Sequence, residues 1–190
     1  MSLSFSFQNG DVILIIAVIG GRQSGKTTAI ETIIQGLTER GRKVAAIKHI
    51  PEEDFTMDTE QKDTWRYTKS GAQIVAGVAP HEIAIIKKVD TTKFSLNQIT
   101  RICENNFDLL ILEGFRKLVE KEPNVQKIIA AKTMEEVSDA SKRYKPILAF
   151  VGPLPSQVTK LQIPYINPFK EPEKLVNLVN ERLEASIKGQ

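Results

Sequence analysis

The sequence predicts an α/β fold in which helices cover both faces of a mostly parallel central sheet. Two continuous apolar runs, residues 12–19 and 107–112, are typical of strands buried on both faces. Strand-like and helix-like segments alternate along the chain, which favours parallel strands joined by helical crossovers. A glycine-containing segment, residues 20–27, joins the first run to a helical pattern. Together these observations predict a P-loop NTPase fold, a three-layer sandwich.

The elements of the first half follow from apolar periodicity and from glycines that end helices. Ile30, Ile33, Ile34 and Leu37 lie on one stripe of a helix that Gly41 ends. In order, the sequence predicts a strand over 12–19, a helix over 27–40, a strand over 43–48, a short helix that follows the polar stretch 51–64 and ends near Gly71, and two short strands over 74–79 and 83–86.

The second half continues the alternation of strands and helices. The final helix has its apolar stripe at Leu175, Val176, Val179 and Leu183, which predicts that this face is buried. In order, the sequence predicts a helix over 95–105, a strand over 107–112, a strand over 127–131, a helix over 135–143, a strand over 147–151 and a helix over 172–187.

Length and composition indicate one domain over residues 1–190, with a loose N-terminal arm over residues 1–10. The net charge of +3 is scattered and forms no basic stripe for nucleic acid. The single cysteine, Cys103, excludes an intramolecular disulfide. The first apolar run is far shorter than the roughly 20 residues of a membrane-spanning helix. We therefore expect a cytoplasmic protein that binds neither nucleic acid nor a membrane.

The segment Gly20–Thr27 matches the Walker A pattern of phosphate-binding loops in full. Its glycines let backbone N–H groups surround a phosphate, and a helix that begins near Gly25 turns its positive dipole end to the same point. Lys26 is expected to reach the β- and γ-phosphates, and the Thr27 hydroxyl to bind Mg²⁺. The predicted nucleotide-binding residues of this segment are Gly20, Gly21, Arg22, Gln23, Ser24, Gly25, Lys26, Thr27 and Thr28.

A phosphate-loop site also needs an acidic residue at the end of a neighbouring strand. Asp108 lies at the start and Glu113 at the end of one buried strand. Ligands of open α/β sheets bind beyond the carboxyl ends of the strands, so Glu113 is the better candidate for the metal. Asp108 is expected to hydrogen-bond a turn at the opposite edge.

The polar segment from Asp58 to Arg66 follows the strand that ends at Lys48 and His49, so it also lies at the carboxyl edge. Its acids, bases and single tryptophan suit either contact with the γ-phosphate or the metal, or an exposed helix start with Trp65 as an anchor. The residues alone leave both interpretations open.

These segments together resemble the MobB family, which acts in molybdopterin-guanine dinucleotide biosynthesis. The resemblance rests on the phosphate loop, on Lys48-His49, on the Asp58 to Tyr67 stretch with Ser70-Gly71-Ala72, and on Leu112-Glu113-Gly114-Phe115-Arg116. It covers residues 12 to about 117. Ile50-Pro51-Glu52-Glu53 stands where the family often has further histidines, and Gln61 stands where it often has glycine.

The resemblance implies a homodimeric GTP-binding protein with weak Mg²⁺-dependent GTPase activity. It implies that the protein assists a MobA-type guanylyltransferase in attaching the guanine dinucleotide to molybdopterin, which it could also bind directly. In this chain Lys26, Glu113 and Asp58 would be catalytic, and Thr27, Glu113 and Asp58 would serve Mg²⁺. Lys62, Asp63 and Arg66 would face the nucleotide or cofactor. The chain has no Asn-Lys-x-Asp string to select guanine, so that preference comes from the resemblance.

Two other functions remain open from the residues. The same loop could serve a small-molecule kinase that transfers the ATP γ-phosphoryl group, although no arginine-rich lid segment is present in the sequence. It could also serve an adaptor that binds nucleotide without hydrolysing it. Arg22, Arg66 and Arg116 are candidates for stabilising charge on the terminal phosphate, and a second subunit or a partner could supply such an arginine instead.

Overall fold

The computed structural model describes residues 14–103, 107–154 and 162–188. The chain divides into two compact units, a larger one of Met1–His49 with Leu96–Gln190 and a smaller one of Ile50–Ser95. The single domain over residues 1–190 stays a prediction. The predicted arm, residues 1–10, lies outside the described residues.

The secondary structure alternates between strands and helices in the larger unit. In chain order the elements are β1 (Leu14–Gly20), α1 (Lys26–Thr38), β2 (Val44–Lys48), α2 (Asp63–Lys69), β3 (Ile74–Ala79), β4 (Glu82–Lys87), α3 (Leu96–Thr100), β5 (Leu109–Glu113), α4 (Arg116–Val119), β6 (Val125–Ala130), α5 (Met134–Arg143), β7 (Ile147–Val151), β8 (Tyr165–Ile166) and α6 (Pro172–Lys188).

Six strands of the larger unit form an all-parallel sheet in the order β2-β5-β1-β6-β7-β8. Strand β1 lies between β5 and β6, so the segment that leaves its carboxyl end emerges in the middle of the sheet edge. Parallel sheets need covered faces, and the flanking helices supply that cover. The predicted α/β fold with a mostly parallel central sheet is confirmed.

One face of the sheet packs against α1 and α6. The core cluster joins alternate residues of β1, such as Ile16 and Val18, to Ile33 of α1 and Val179 of α6. The two helices come so close that a Cβ added at Gly36 would lie 2.5 Å from Val176 Cγ2. The predicted apolar stripe of the final helix is therefore buried, as expected, at Leu175, Val176, Val179 and Leu183.

Several elements differ from the sequence predictions. Helix α4 and strand β8 were not predicted, because four and two residues are too short to show a period. Helix α3 ends at Thr100 although the sequence predicts helix to residue 105, and residues 104–106 lie outside the described chain.

The prediction for Asp108 is confirmed, since its carboxylate accepts a hydrogen bond of 2.7 Å from the Lys43 backbone N–H at the amino end of β2.

The smaller unit contains α2 and an antiparallel hairpin of β3 and β4, which forms its own two-stranded sheet. Val78 pairs with Ile83, and Ala76 pairs with Ile85, so these side chains share one face. Val75 belongs to the opposite face and is buried. In the part of the chain that the structure describes, no helix is long and apolar enough to cross a membrane.

Candidate nucleotide-phosphate site

The phosphate loop occupies the connection between β1, which ends at Gly20, and α1, which begins at Lys26. Two of its residues have left-handed backbones, Gln23 with φ of 56° and Gly25 with φ of 91°. Glycine tolerates this conformation, whereas in glutamine it is strained. Backbone strain of this kind is concentrated at functional sites, where the surrounding structure holds it in place.

Side chains of the loop hold it closed on itself. The hydroxyl of Ser24, a buried residue, donates a hydrogen bond of 3.0 Å to the Gly21 carbonyl. Lys26 Nζ donates to the same carbonyl at 2.6 Å and so ties the start of α1 back to the start of the loop. An ammonium group has three N–H donors, so Lys26 can keep this bond and still donate to phosphate oxygens.

Gly20 sits where no side chain fits. A Cβ at this position would lie 2.5 Å from both the Ala130 carbonyl oxygen and the Ser24 hydroxyl. The first of these atoms is backbone of the neighbouring strand β6 and cannot move aside easily. A glycine is required here because of close packing, whereas Gly25 is required because of its backbone conformation.

The structure places Glu113 at the carboxyl end of β5, next to the strand that leads into the loop. Glu113 is in register with Val18 of β1 on one side and with Lys48 of β2 on the other. Its side chain is 17% exposed and lies 3.7 Å from Lys48 Nζ, which is 62% exposed. This carboxylate is therefore held at the loop's edge of the sheet, as the sequence predicts.

The turn after Glu113 brings another cation to the loop. Gly114 and Phe115 both have left-handed backbones, with φ of 86° and 51°, and helix α4 begins immediately afterwards at Arg116. The Arg116 guanidinium donates a hydrogen bond to the Gly20 carbonyl. The Phe115 ring packs edge to face against His49, with ring centroids 5.2 Å apart.

The charges around the loop act on Lys26. Partial burial lowers the pKa of Lys26, and the positive charges of Arg116 and Lys48 lower it further, whereas the negative charge of Glu113 raises it. The loop's edge of the sheet thus carries three cations, Lys26, Lys48 and Arg116, and one carboxylate, Glu113. The excess of positive charge suits an anionic ligand such as a polyphosphate.

The residues present fit a magnesium ion. Mg²⁺ prefers hard oxygen ligands, and in phosphate-loop sites one or two protein groups bind it together with phosphate oxygens. The Thr27 hydroxyl at the start of α1 and the Glu113 carboxylate are donors of this kind. Across the described ranges, no group of three or more His, Cys, Asp or Glu side chains could bind a metal without such help.

Asp58 lies in the smaller unit, where it organises the segment before α2. One carboxylate oxygen, Oδ1, accepts hydrogen bonds of 2.9 Å from the Thr59 N–H and from the Thr64 hydroxyl. The other oxygen, Oδ2, is buried and has no hydrogen-bond partner among the described residues. The structure therefore shows Asp58 holding a turn together, and its predicted roles toward Mg²⁺ and in catalysis stay predictions.

The remaining predicted residues of this segment form the start of α2. Lys62 is the N-cap residue, Asp63 stands in the first turn, and Arg66 Nη1 lies 3.4 Å from Asp63 Oδ1. The anchoring role of Trp65 stays a prediction. Its ring is half-buried and lies 5.3 Å from Lys69 Nζ.

Comparison with known proteins decides the family. The sequence model of MobB, described as molybdopterin guanine dinucleotide synthesis protein B, matches residues 15–152. This chain belongs to the MobB family. The match includes the phosphate loop, Asp58 to Arg66 and Glu113 to Arg116, so the MobB pattern spans both compact units.

Named relatives of this MobB-family chain are molybdopterin-guanine dinucleotide biosynthesis adapter proteins. One from Methanocaldococcus jannaschii is 34% identical over 119 residues, which cover 62% of this chain and 47% of the relative. One from Haemophilus influenzae is 32% identical over 113 residues, which cover 58% of this chain and 61% of the relative. The match thus spans about half of the first relative's length.

A solved structure supports the same family. The crystal structure of a molybdopterin-guanine biosynthesis protein B, MobB, aligns with a TM-score of 0.67 and 27% identity, over 90% of this chain and 99% of that one. Because this alignment covers 90% of the chain, the likeness extends beyond residues 12 to about 117, which carry the sequence resemblance.

Within the MobB-family site, sequence reasoning missed the part played by Lys48. It pairs with Glu113 because β2 and β5 are neighbours in register, an arrangement that depends on strand order. The available signal was weak, since Lys48 simply ends a predicted strand. Strand-end cations next to a predicted metal carboxylate are the pattern that would have found it.

Proposed function

We propose that this chain binds GTP with Mg²⁺ on the phosphate loop, hydrolyses it slowly, and acts as an adapter in molybdopterin-guanine dinucleotide biosynthesis. The observation that carries the proposal is the joining of Lys26, the glycine loop and Glu113 at one sheet edge in a MobB-family chain. In this role it would assist a MobA-type guanylyltransferase, and molybdopterin is a further candidate ligand.

Phosphate binding rests on backbone and charge together. The loop from Gly21 to Gly25 leads into α1, a helix of 13 residues whose first N–H groups point toward the loop. Lys26 adds a positive charge at that helix end, and the Thr27 hydroxyl is the oxygen donor for Mg²⁺. A triphosphate with its metal matches this combination better than a neutral ligand does.

The choice of GTP and of the pathway rests on the family. The relatives' names place them in the biosynthesis of a guanine dinucleotide, so guanine is the base we propose. Slow hydrolysis is proposed because the sequence offers no motif glutamine to orient an attacking water. A slowly hydrolysing protein can couple its nucleotide state to contact with a partner enzyme.

The proposal is tested by titrating the purified protein with GTP and with ATP, each with Mg²⁺ and with the metal chelated. We expect GTP to bind more tightly than ATP and both to weaken without Mg²⁺. A reconstituted guanylyltransferase reaction should yield more dinucleotide cofactor when this chain and GTP are both present. Preference for ATP, with transfer of its γ-phosphoryl group to a small acceptor, would replace the proposal with a kinase.

We further propose that the chain forms a homodimer through the exposed face of the β3–β4 hairpin. That face carries Ile74, Val78, Ile83 and Ile85, which are 59%, 79%, 66% and 65% exposed. Monomeric proteins rarely expose contiguous apolar patches of this kind. A second copy of the chain is the favoured partner, because a twofold axis would pack the apolar face of one protomer against the same face of the other.

The dimer is tested by replacing Ile83 and Ile85 together with threonine, which keeps β-propensity but makes the face polar. Light scattering during gel filtration should give twice the chain mass for the wild type and the chain mass for the double variant. Phe169→Ser, which alters an apolar residue that is 80% exposed outside the hairpin, should leave the dimer intact. A monomeric wild type, or a double variant that stays dimeric, would contradict this interface.

A further inference from the structure

We propose that Arg116 binds the terminal phosphate of the nucleotide. In this arrangement the chain itself supplies an arginine that stabilises the charge that develops during phosphoryl transfer. This inference rests on the proposed function, since it presumes a triphosphate on the loop.

The position of Arg116 is built into the backbone. The Gly114 N–H donates a hydrogen bond of 3.1 Å to the Val18 carbonyl of β1, which fixes the turn against the strand that enters the loop. A Cβ at Gly114 would lie 3.2 Å from His49 Cβ, and φ there is 86°, so both the close packing and the backbone conformation favour glycine. Phe115 also has a left-handed backbone, a conformation that is strained in residues other than glycine. Helix α4 begins directly after this turn, and its first residue, Arg116, donates a hydrogen bond to the Gly20 carbonyl of the loop.

The Arg116 guanidinium reaches the loop beside Lys26. Arg116 donates to the Gly20 carbonyl and Lys26 donates to the Gly21 carbonyl, so the two cations sit on consecutive peptide groups. Gly20 O is the one hydrogen-bond partner of this guanidinium among the described residues. A guanidinium has five N–H donors in a planar fork, so the others can bind phosphate oxygens while this bond remains.

The other two candidate arginines lack this placement. Arg66 belongs to α2 in the smaller unit, where its guanidinium lies 3.4 Å from the Asp63 carboxylate. Arg22 is exposed on the loop itself, and no hydrogen bond holds it among the described residues. Unlike Arg22, Arg116 is hydrogen-bonded to the backbone of the phosphate loop.

The chemical consequence concerns the hydrolysis step. The oxygen of a water molecule forms a bond to the γ-phosphorus while the bond from that phosphorus to the β–γ bridging oxygen breaks. The electron pair of that bond leaves with GDP, and the water proton passes to phosphate or solvent. Negative charge accumulates on the bridging and γ-phosphate oxygens, where a fixed guanidinium stabilises it. The expected effects are therefore faster hydrolysis and tighter binding of GTP than of GDP.

The test compares the wild type with Arg116→Ala, Arg116→Lys and the matched control Lys117→Ala, which removes the neighbouring exposed cation of α4. Affinities for GTP and GDP with Mg²⁺ and the single-turnover rate of phosphate release are measured for each. We expect Arg116→Ala to slow phosphate release at least about tenfold and to weaken GTP binding more than GDP binding. Arg116→Lys should keep part of the affinity for GTP but little of the rate of phosphate release, because an ammonium lacks the planar fork of a guanidinium. Lys117→Ala should match the wild type in both measurements.

The outcomes separate this inference from the function on which it rests. If the wild type binds neither nucleotide, both the proposed function and the inferred role of Arg116 are overturned. If the wild type binds and hydrolyses GTP but Arg116→Ala does so equally well, only the role of Arg116 is overturned. If both Arg116 variants lose affinity for GTP and for GDP to the same extent, Arg116 only stabilises the loop. This result would also overturn the inference.

Discussion

Replacing Lys26 with alanine is expected to weaken binding of GTP with Mg²⁺ by about 100-fold. Charged hydrogen bonds contribute about 1.5–3 kcal/mol each, so loss of the two from one ammonium to the β- and γ-phosphates costs at least about 3 kcal/mol, which corresponds to a factor of about 100 or more. The variant also loses the hydrogen bond to the Gly21 carbonyl that closes the loop, so the unliganded loop itself becomes looser.

This result is measured by titration with a fluorescent guanine nucleotide and by calorimetry. Lys142→Ala is the matched control, because Lys142 lies on α5, is 75% exposed and forms an ion pair with Asp139 on its own helix. Far-UV circular dichroism should show that both variants keep the fold, since Lys26 belongs to the first turn of α1 and not to its buried stripe. Undiminished binding by Lys26→Ala would mean that nucleotide binds elsewhere than on the phosphate loop.

Replacing Lys127 with alanine is expected to lower the free energy of unfolding by about 3 kcal/mol, which for a chain of this size lowers Tm by about 6–12 °C. Lys127 is fully buried in β6, and its Nζ donates hydrogen bonds to the carbonyls of Glu122 and Lys145, the latter at 2.7 Å. The variant leaves a cavity where the aliphatic stem packed, and it removes the donor from both carbonyls.

Thermal and urea unfolding, followed by circular dichroism, measure this loss. Lys121→Ala, an exposed lysine six residues earlier, should change stability by less than about 0.5 kcal/mol. Lys127→Met keeps the volume of the stem and should lose roughly half as much as alanine. A loss of stability no larger than that of Lys121→Ala would show that the hydrogen bonds from Lys127 to the Glu122 and Lys145 carbonyls do not stabilise the fold.

The pH dependence of this effect has a definite sign. Burial lowers the pKa of Lys127 below its ordinary 10.5, although the charge of Glu122 opposes the shift. Between the lowered pKa and 10.5 the unfolded chain holds more protons at this site than the folded one, so stability rises with pH there. The stability difference between the wild type and Lys127→Met should therefore widen as the pH approaches 10.5.

The sequence was sufficient for the features that are continuous in it. The buried run of β1, the loop and the stripe of α1 follow one another without a gap, so pattern and context could be checked together. Glu113 followed from a general rule about strand ends, and the structure places it beside β1. These predictions depend only on local periodicity and on the shared edge of parallel strands.

Other features depend on contacts between distant parts of the chain. A lysine in an apolar strand reads as a polar residue facing solvent, and the carbonyls that make burial of Lys127 tolerable have no sequence signature. Arg116 was one of three arginines, and what distinguishes it is a left-handed Phe115, a residue type with no preference for that conformation. The hairpin strands were predicted, but nothing local shows that they form a separate sheet.

The packing of α6 on α1 has a consequence for how the protein forms during synthesis. The core face that supports the phosphate loop includes Leu175, Val179 and Leu183, which are synthesised long after the loop itself. A ribosome-bound chain that already contains the whole phosphate loop still lacks the partner against which Gly36 packs. Nucleotide binding should therefore be acquired only after α6 has left the exit tunnel. Until then, the apolar stripe of α1 lacks this cover, and such exposed surface makes an incomplete chain prone to aggregation.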